Sequence, residues 1–167
     1  MSPELESIRQ QLHATLDADE VARLRGAQGK WSAAEVLEHL LLTYTASTKG
    51  LERALAAGKP LATAATAWQG MAKFLVVTLG HFPPGRQAPE MVKPRGVDAA
   101  QVWRELPPAL EAMDRALAAA EERWGARRPV VNHPILGPFS VRDWRKFHLA
   151  HARHHFKQLE KMKSLRG

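Results

Sequence analysis

Half of the chain's eight histidines, His148, His151, His154 and His155, fall in eight consecutive positions. At this histidine frequency random placement would put about 0.4 there. A neutral imidazole is a common ligand for divalent transition metals, and its charge changes near neutral pH. Spacing separates the four. Residues four apart on a helix have Cβ atoms about 5–6 Å apart, so His151 and His155 can direct two ring nitrogens at one ion. At about 100° per residue, Trp144, Phe147, Leu159, Met162 and Leu165 form the apolar stripe of a final helix, and His148, His151 and His155 run along its middle. His154 lies to one side and is the weaker candidate, while Arg145, Lys146, Arg153 and Lys157 point away toward solvent. Core-facing imidazoles without a ligand would leave buried ring nitrogens unpaired at about 1–3 kcal/mol each. A His-x-x-x-His pair on a helix is otherwise surface decoration or a helix-support pair, and the apolar placement here adds weight to a bound metal.

Two ligands rarely make a competent site, and His39 is the obvious third. It sits in WSAAEVLEHL, at the edge of a stripe of Val36, Leu40, Tyr44 and Leu51. Three neutral imidazoles leave open coordination positions, as catalytic metal sites do. Neighbouring residues have candidate roles. His148, one turn before His151, suits a proton shuttle or substrate contact, and equally a satisfied core histidine. Glu35, one turn before His39, suits a general base, although a capping role already accounts for it. Gln158 follows His155 by three residues and can hydrogen-bond a ligand or a bound water. His133 either overhangs the cavity mouth or braces the turn before Pro134. The chain has no cysteine, which excludes thiolate nucleophiles, iron–sulfur ligation and cysteine zinc sites, so thiol chemistry would need a thiol brought by a cofactor.

The elements that must position these residues read as helices. Pro3 opens a helix carrying Leu5, Ile8, Leu12 and Leu16 and running to Leu16 or Leu24. Ser32 and Glu35 form a capping box for a helix to Ala57, which Gly58 and Pro60 stop. A shorter helix spans 68–79, with Met71, Phe74 and Leu75 as core, and a Pro- and Gly-rich crossing follows. Asp98 caps a helix through Arg123, where Pro107 and Pro108 predict a kink or restart. A loop over 125–139 then leads to Ser140 and Asp143, a second capping box, and to the final helix ending near Ser164. No useful β-type alternation is visible, and the 167 residues read as one all-α domain, a helical bundle.

Lys and Arg total 24 against 17 Asp and Glu, a net charge of +7, and the last helix carries much of the excess. A solvated basic face explains this; attraction of anions or nucleic acid is the minor alternative, since aromatic interleaving is lacking. Trp31, Trp144 and Phe147, beside the histidine segments, read as core or as pocket lining. The N-terminal stretch has no apolar leader and no apolar run is long enough for a bilayer, so a cytoplasmic protein without membrane contact is expected.

WSAAEVLEHL at 31–40 and HARHHFKQ at 151–158 together resemble the motifs of the DinB/YfiT-like superfamily. GHFPPGRQAPEMVKP at 80–94 and NHPILGPFSVRDW at 132–144 resemble a DinB-like branch of mostly unknown function. The resemblance covers nearly the whole chain. It implies a bundle of four main helices with added short segments, in which His39, His151 and His155 bind a divalent ion, and it does not choose the metal; zinc or nickel is the first expectation, manganese or iron the alternatives. It also implies two enzyme classes, thiol-dependent S-transferases using a low-molecular-weight thiol and metal-dependent hydrolases. For the former, Arg142, Arg145, Arg86 and Lys93 are the candidate partners of an anionic thiol. A non-catalytic metal or small-ligand binder or a stress-related protein is the second function class and a nucleic-acid binder the third. A small-molecule substrate and a homodimer complete the expectations.

Overall fold

Three of the four longest helices begin where a polar side chain closes the first turn. The computed structural model describes residues 1–82 and 87–165, so Arg86 and Arg166 lie outside the described residues. Helix α1, Pro3–Thr15, has its proline in the first turn, where the missing N–H costs nothing. It stops there: Asp17 and Glu20 form a capping box that starts a separate short helix α2, Ala18–Arg23, in place of the continuation to Leu24. Ser32 and Glu35 start α3, Ala33–Ala57, which ends on Gly58 at φ +69°. Asp98 accepts from the amides of Ala100 and Gln101 to start α5, Ala99–Trp124. Pro107 and Pro108 lie inside α5, which runs through them as one helix, so of the expected kink or restart the restart does not occur. Ser140 and Asp143 start α6, Val141–Ser164.

The 68–79 segment differs from its expectation in two ways. A capping box of Thr66 and Gln69 starts α4, Ala67–Lys73, and the chain then widens into a π-helical turn, Phe74–Thr78. Met71, Phe74 and Leu75 are not core; they are 56%, 55% and 36% exposed. The face that packs inward carries Val76 and Val77, and widening the turn changes which side chains share a face.

The loop expected over 125–139 contains a hairpin. Strand β1, Pro129–His133, pairs antiparallel with β2, Gly137–Ser140, with an irregularity between Pro129 and Val131. Both strands are too short to show alternation, and the burial of Val130, Val131 and Phe139 against the helices supplies what their pattern lacks. A single 3-10 turn, Glu90–Val92, precedes α5.

The protein is mostly helical, with this one two-stranded sheet among the described residues. Helix α3 lies along α5 and α1 along α6, while β1 packs on α3 and β2 on the start of α6. Leu5, Leu37, Leu40, Leu51, Met113, Leu117 and Leu159 are fully buried in the shared core. Leu165, expected to end the α6 stripe, lies past the helix and is exposed. Two α6 cations are structural: Arg145, expected in solvent, pairs with Glu121 at 2.6 Å, and Lys163 reaches Glu20 at 2.7 Å and the Thr15 carbonyl. No described helix is long and apolar enough to cross a membrane.

Candidate metal centre

Helix α3 brings His39, and helix α6 brings His151 and His155, into one buried group whose candidate ligand atoms lie within 4.8 Å of one another. The Nε2 atom of His151 stands 3.1 Å from Nε2 of His39 and 3.1 Å from Nε2 of His155. Ligands of a tetrahedral ion bound at about 2.0–2.1 Å lie about 3.3–3.4 Å apart, so a small adjustment would seat one.

Tautomers follow from the outer ring nitrogens. His39 Nδ1 is 2.7 Å from the Val92 carbonyl, which can only accept, so this nitrogen donates and Nε2 carries a lone pair. His155 Nδ1 donates to Gln158 Oε1 at 3.1 Å, which again leaves a lone pair on Nε2. Two lone pairs therefore converge on His151 Nε2, which holds at most one hydrogen. His151 Nδ1 is buried and has no partner among the described residues. Proton sharing cannot satisfy this arrangement, whereas a cation facing all three Nε2 atoms would. The donor set thus fits a divalent transition metal, with the outer contacts holding two of the rings in ligand orientation.

Burial keeps these groups unprotonated near neutral pH. It lowers the pKa of His39, with the Val92 hydrogen bond opposing, and brings His155 down to about 3, helped by nearby His39. His151 falls well below the usual range through burial, then through its histidine neighbours. Neutral imidazole is the metal-binding form.

The trio opens onto a cavity of about 380 Å³, within the range of small-molecule sites. Trp31, Phe82, Trp144 and Phe147 line it, together with His133 and His154. His133 also braces its turn, its Nδ1 accepting from the amides of Ile135 and Leu136 at 3.2 and 3.1 Å. His154 is exposed and stays outside the trio.

Two expected participants stand elsewhere. Glu35 accepts from the Ser32 amide at 2.7 Å and does not line the cavity. His148 is fully buried behind it, stacked on Trp144, and also absent from the lining. The Ser47 hydroxyl donates to the Thr43 carbonyl, so it accepts from His148 Nε2 at 3.1 Å, leaving His148 Nδ1 without a partner. Of the cations considered for an anionic thiol, Lys93 pairs with Glu90, Arg145 pairs with Glu121, and neither these nor Arg142 lines the cavity.

The sequence reading missed Glu38. This carboxylate, 1% exposed, accepts from the backbone amides of Arg95, Gly96 and Val97 at 2.8, 3.0 and 3.1 Å. It pins the segment that follows Val92, and so holds the carbonyl that orients His39. A lone acid inside VLEHLLL was the available signal.

A family described as "Protein of unknown function (DUF1569)" has a sequence model that matches residues 4–162. No curated protein and no solved structure matches the chain.

Proposed function

We propose that this chain, which belongs to the DUF1569 family, binds a divalent transition metal through His39, His151 and His155 and is a metal-dependent enzyme acting on a small molecule. The convergence of three Nε2 atoms with too few protons to share carries the reading. The four longest helices, α1, α3, α5 and α6, then form a DinB-like bundle that clamps the site between α3 and α6. A bound ion would supply Lewis acidity, lowering the pKa of an oxygen or sulfur group placed on it. That serves hydrolysis and thiol S-transfer alike.

The chain's own residues have distinct tasks in this reading. Val92 and Gln158 hold His39 and His155 in the tautomer that presents Nε2. Trp31, Phe82 and Phe147 exclude water from around the trio and raise the strength of every polar interaction there. Glu35 and His148 serve the framework, and the proposed chemistry uses neither.

The test is elemental analysis of untagged protein after zinc or nickel loading and gel filtration, beside His151→Ala and His155→Ala with folding checked by circular dichroism. One equivalent in the wild type, lost in both folded variants, is the expected result. A wild type that takes up neither metal would overturn the proposal. Zinc-loaded protein is then assayed against ester and amide substrates and against a low-molecular-weight thiol with an electrophile. Metal uptake without turnover in either assay would refute the enzyme part and leave a metal-binding protein.

A further inference from the structure

The cavity continues along α3, away from the histidines. Thr43, Ala46, Ser47 and Gly50 form its floor and Arg53 stands at its far end. From His39 to Arg53 is fourteen residues, about 21 Å at 1.5 Å per residue. Gly50 is unexpected here. It sits inside a helix without a positive φ, and an added Cβ would meet only Val131 Cγ2, at 3.9 Å. Neither backbone conformation nor crowding calls for glycine, which costs a helix interior about 0.5–1 kcal/mol relative to alanine. What its missing side chain provides is open volume in the middle of the groove.

The opposite rim is apolar and uncovered. Trp68, Leu75 and Met91 line the cavity, yet are 56%, 36% and 54% exposed. Apolar side chains gathered around an opening in this way mark a surface that a ligand covers. Among the described residues, charge in the lining lies at one end. Apart from its histidines, Arg53 is the only charged side chain in the lining among the described residues. Its Nε donates to the Lys49 carbonyl at 3.2 Å, and no carboxylate pairs with it among the described residues. At the other end His151 Nδ1 is buried and has no partner among the described residues.

We infer that the groove binds an elongated, mainly apolar small molecule with one anionic group, its anion at Arg53 and its other end at the histidine trio. The assignment of the histidine end as the reacting end rests on the proposed metal function; the binding mode itself does not. An ammonium group has no complementary carboxylate in the lining among the described residues, whereas a carboxylate at Arg53 meets a guanidinium that no described carboxylate pairs.

Metal-free protein keeps the two ideas separable. Trp31, Trp68 and Trp144 line the cavity, so their fluorescence reports on filling. Chelator-treated protein is titrated with decanoate, decanol, decylammonium and butanoate, with stoichiometry from calorimetry. Decanoate should saturate one site, while decylammonium and butanoate bind more weakly. Arg53→Gln should weaken decanoate by about fivefold to tenfold and leave decanol unchanged. Gly50→Leu, which favours the helix and fills the groove, should abolish both while zinc uptake at the trio persists. Absence of saturable decanoate binding overturns the inference, as does decanoate binding indifferent to both substitutions. Decanoate binding in a wild type that takes up no zinc would support the groove and refute the metal reading.

Discussion

His148→Phe tests whether burial of a neutral imidazole makes this fold acid-sensitive. Burial, with a smaller contribution from His133, lowers the pKa of His148 to about 3, against 6.5 for an ordinary histidine. Above 6.5 both folded and unfolded chains hold it neutral, and its titration contributes nothing to stability. Below 6.5 the unfolded chain takes up a proton that the folded chain refuses, so stability falls with falling pH until about 3 is reached. Near pH 5 the unfolded state has gained about 1.5 pH units at about 1.36 kcal/mol each, or about 2 kcal/mol. His133, lowered to about 4 by burial, adds a similar amount. Together these are a large part of the 5–15 kcal/mol expected of a domain. Phenylalanine keeps the ring contacts with Trp144 and Tyr44, removes the unpartnered Nδ1, and gives up the Ser47 hydrogen bond. Urea unfolding with a chelator present, near pH 7.5 and near pH 5, measures the difference. The variant should lose about 2 kcal/mol less than the wild type between the two conditions, whatever its offset near pH 7.5. Equal losses would mean that His148 titrates normally in the folded protein, and the argument from burial would be wrong.

Two further outcomes follow from the same geometry. Glu38→Ala strips a carboxylate from three backbone amides and should cost about 2–4 kcal/mol in urea unfolding. The same variant should weaken zinc binding about tenfold to a hundredfold in a chelator competition, because the Val92 carbonyl no longer holds the His39 ring. Unchanged zinc affinity in a folded Glu38→Ala protein would show that the 93–97 segment has no bearing on the site. Met113→Ala, at a fully buried position of α5, should lower stability by about 2–5 kcal/mol without changing metal stoichiometry. A loss of metal there would mean that the site depends on core packing far from its ligands.

Signals that close within a few residues were readable in the chain. The capping boxes of Ser32 with Glu35 and Ser140 with Asp143 are four-residue devices, and their helices begin where those residues stand. Spacing on one helix placed His151 and His155 together, and the apolar faces of two helices brought His39 to them. Readings that depended on surroundings fared differently. Met71, Phe74 and Leu75 have core-like character but face outward, while Val76 and Val77 of the π-helical turn meet the protein. The hairpin at 129–140 escaped notice because four- and five-residue strands acquire their stability from a partner and a covered face.

The sequence by itself determined the four longest helices and where they start, the lack of any cysteine ligand and the two imidazoles one turn apart. Only the tertiary structure decided that His148 would be sealed away from the cavity, that Glu38 would gather the amides of Arg95 to Val97, and that Arg53 would line the cavity. Each of these depends on partners contributed by distant parts of the chain. Helix periodicity specifies the direction of a side chain relative to its own axis; which backbone carbonyl, amide or cavity lies in that direction is set by the packing of the other elements.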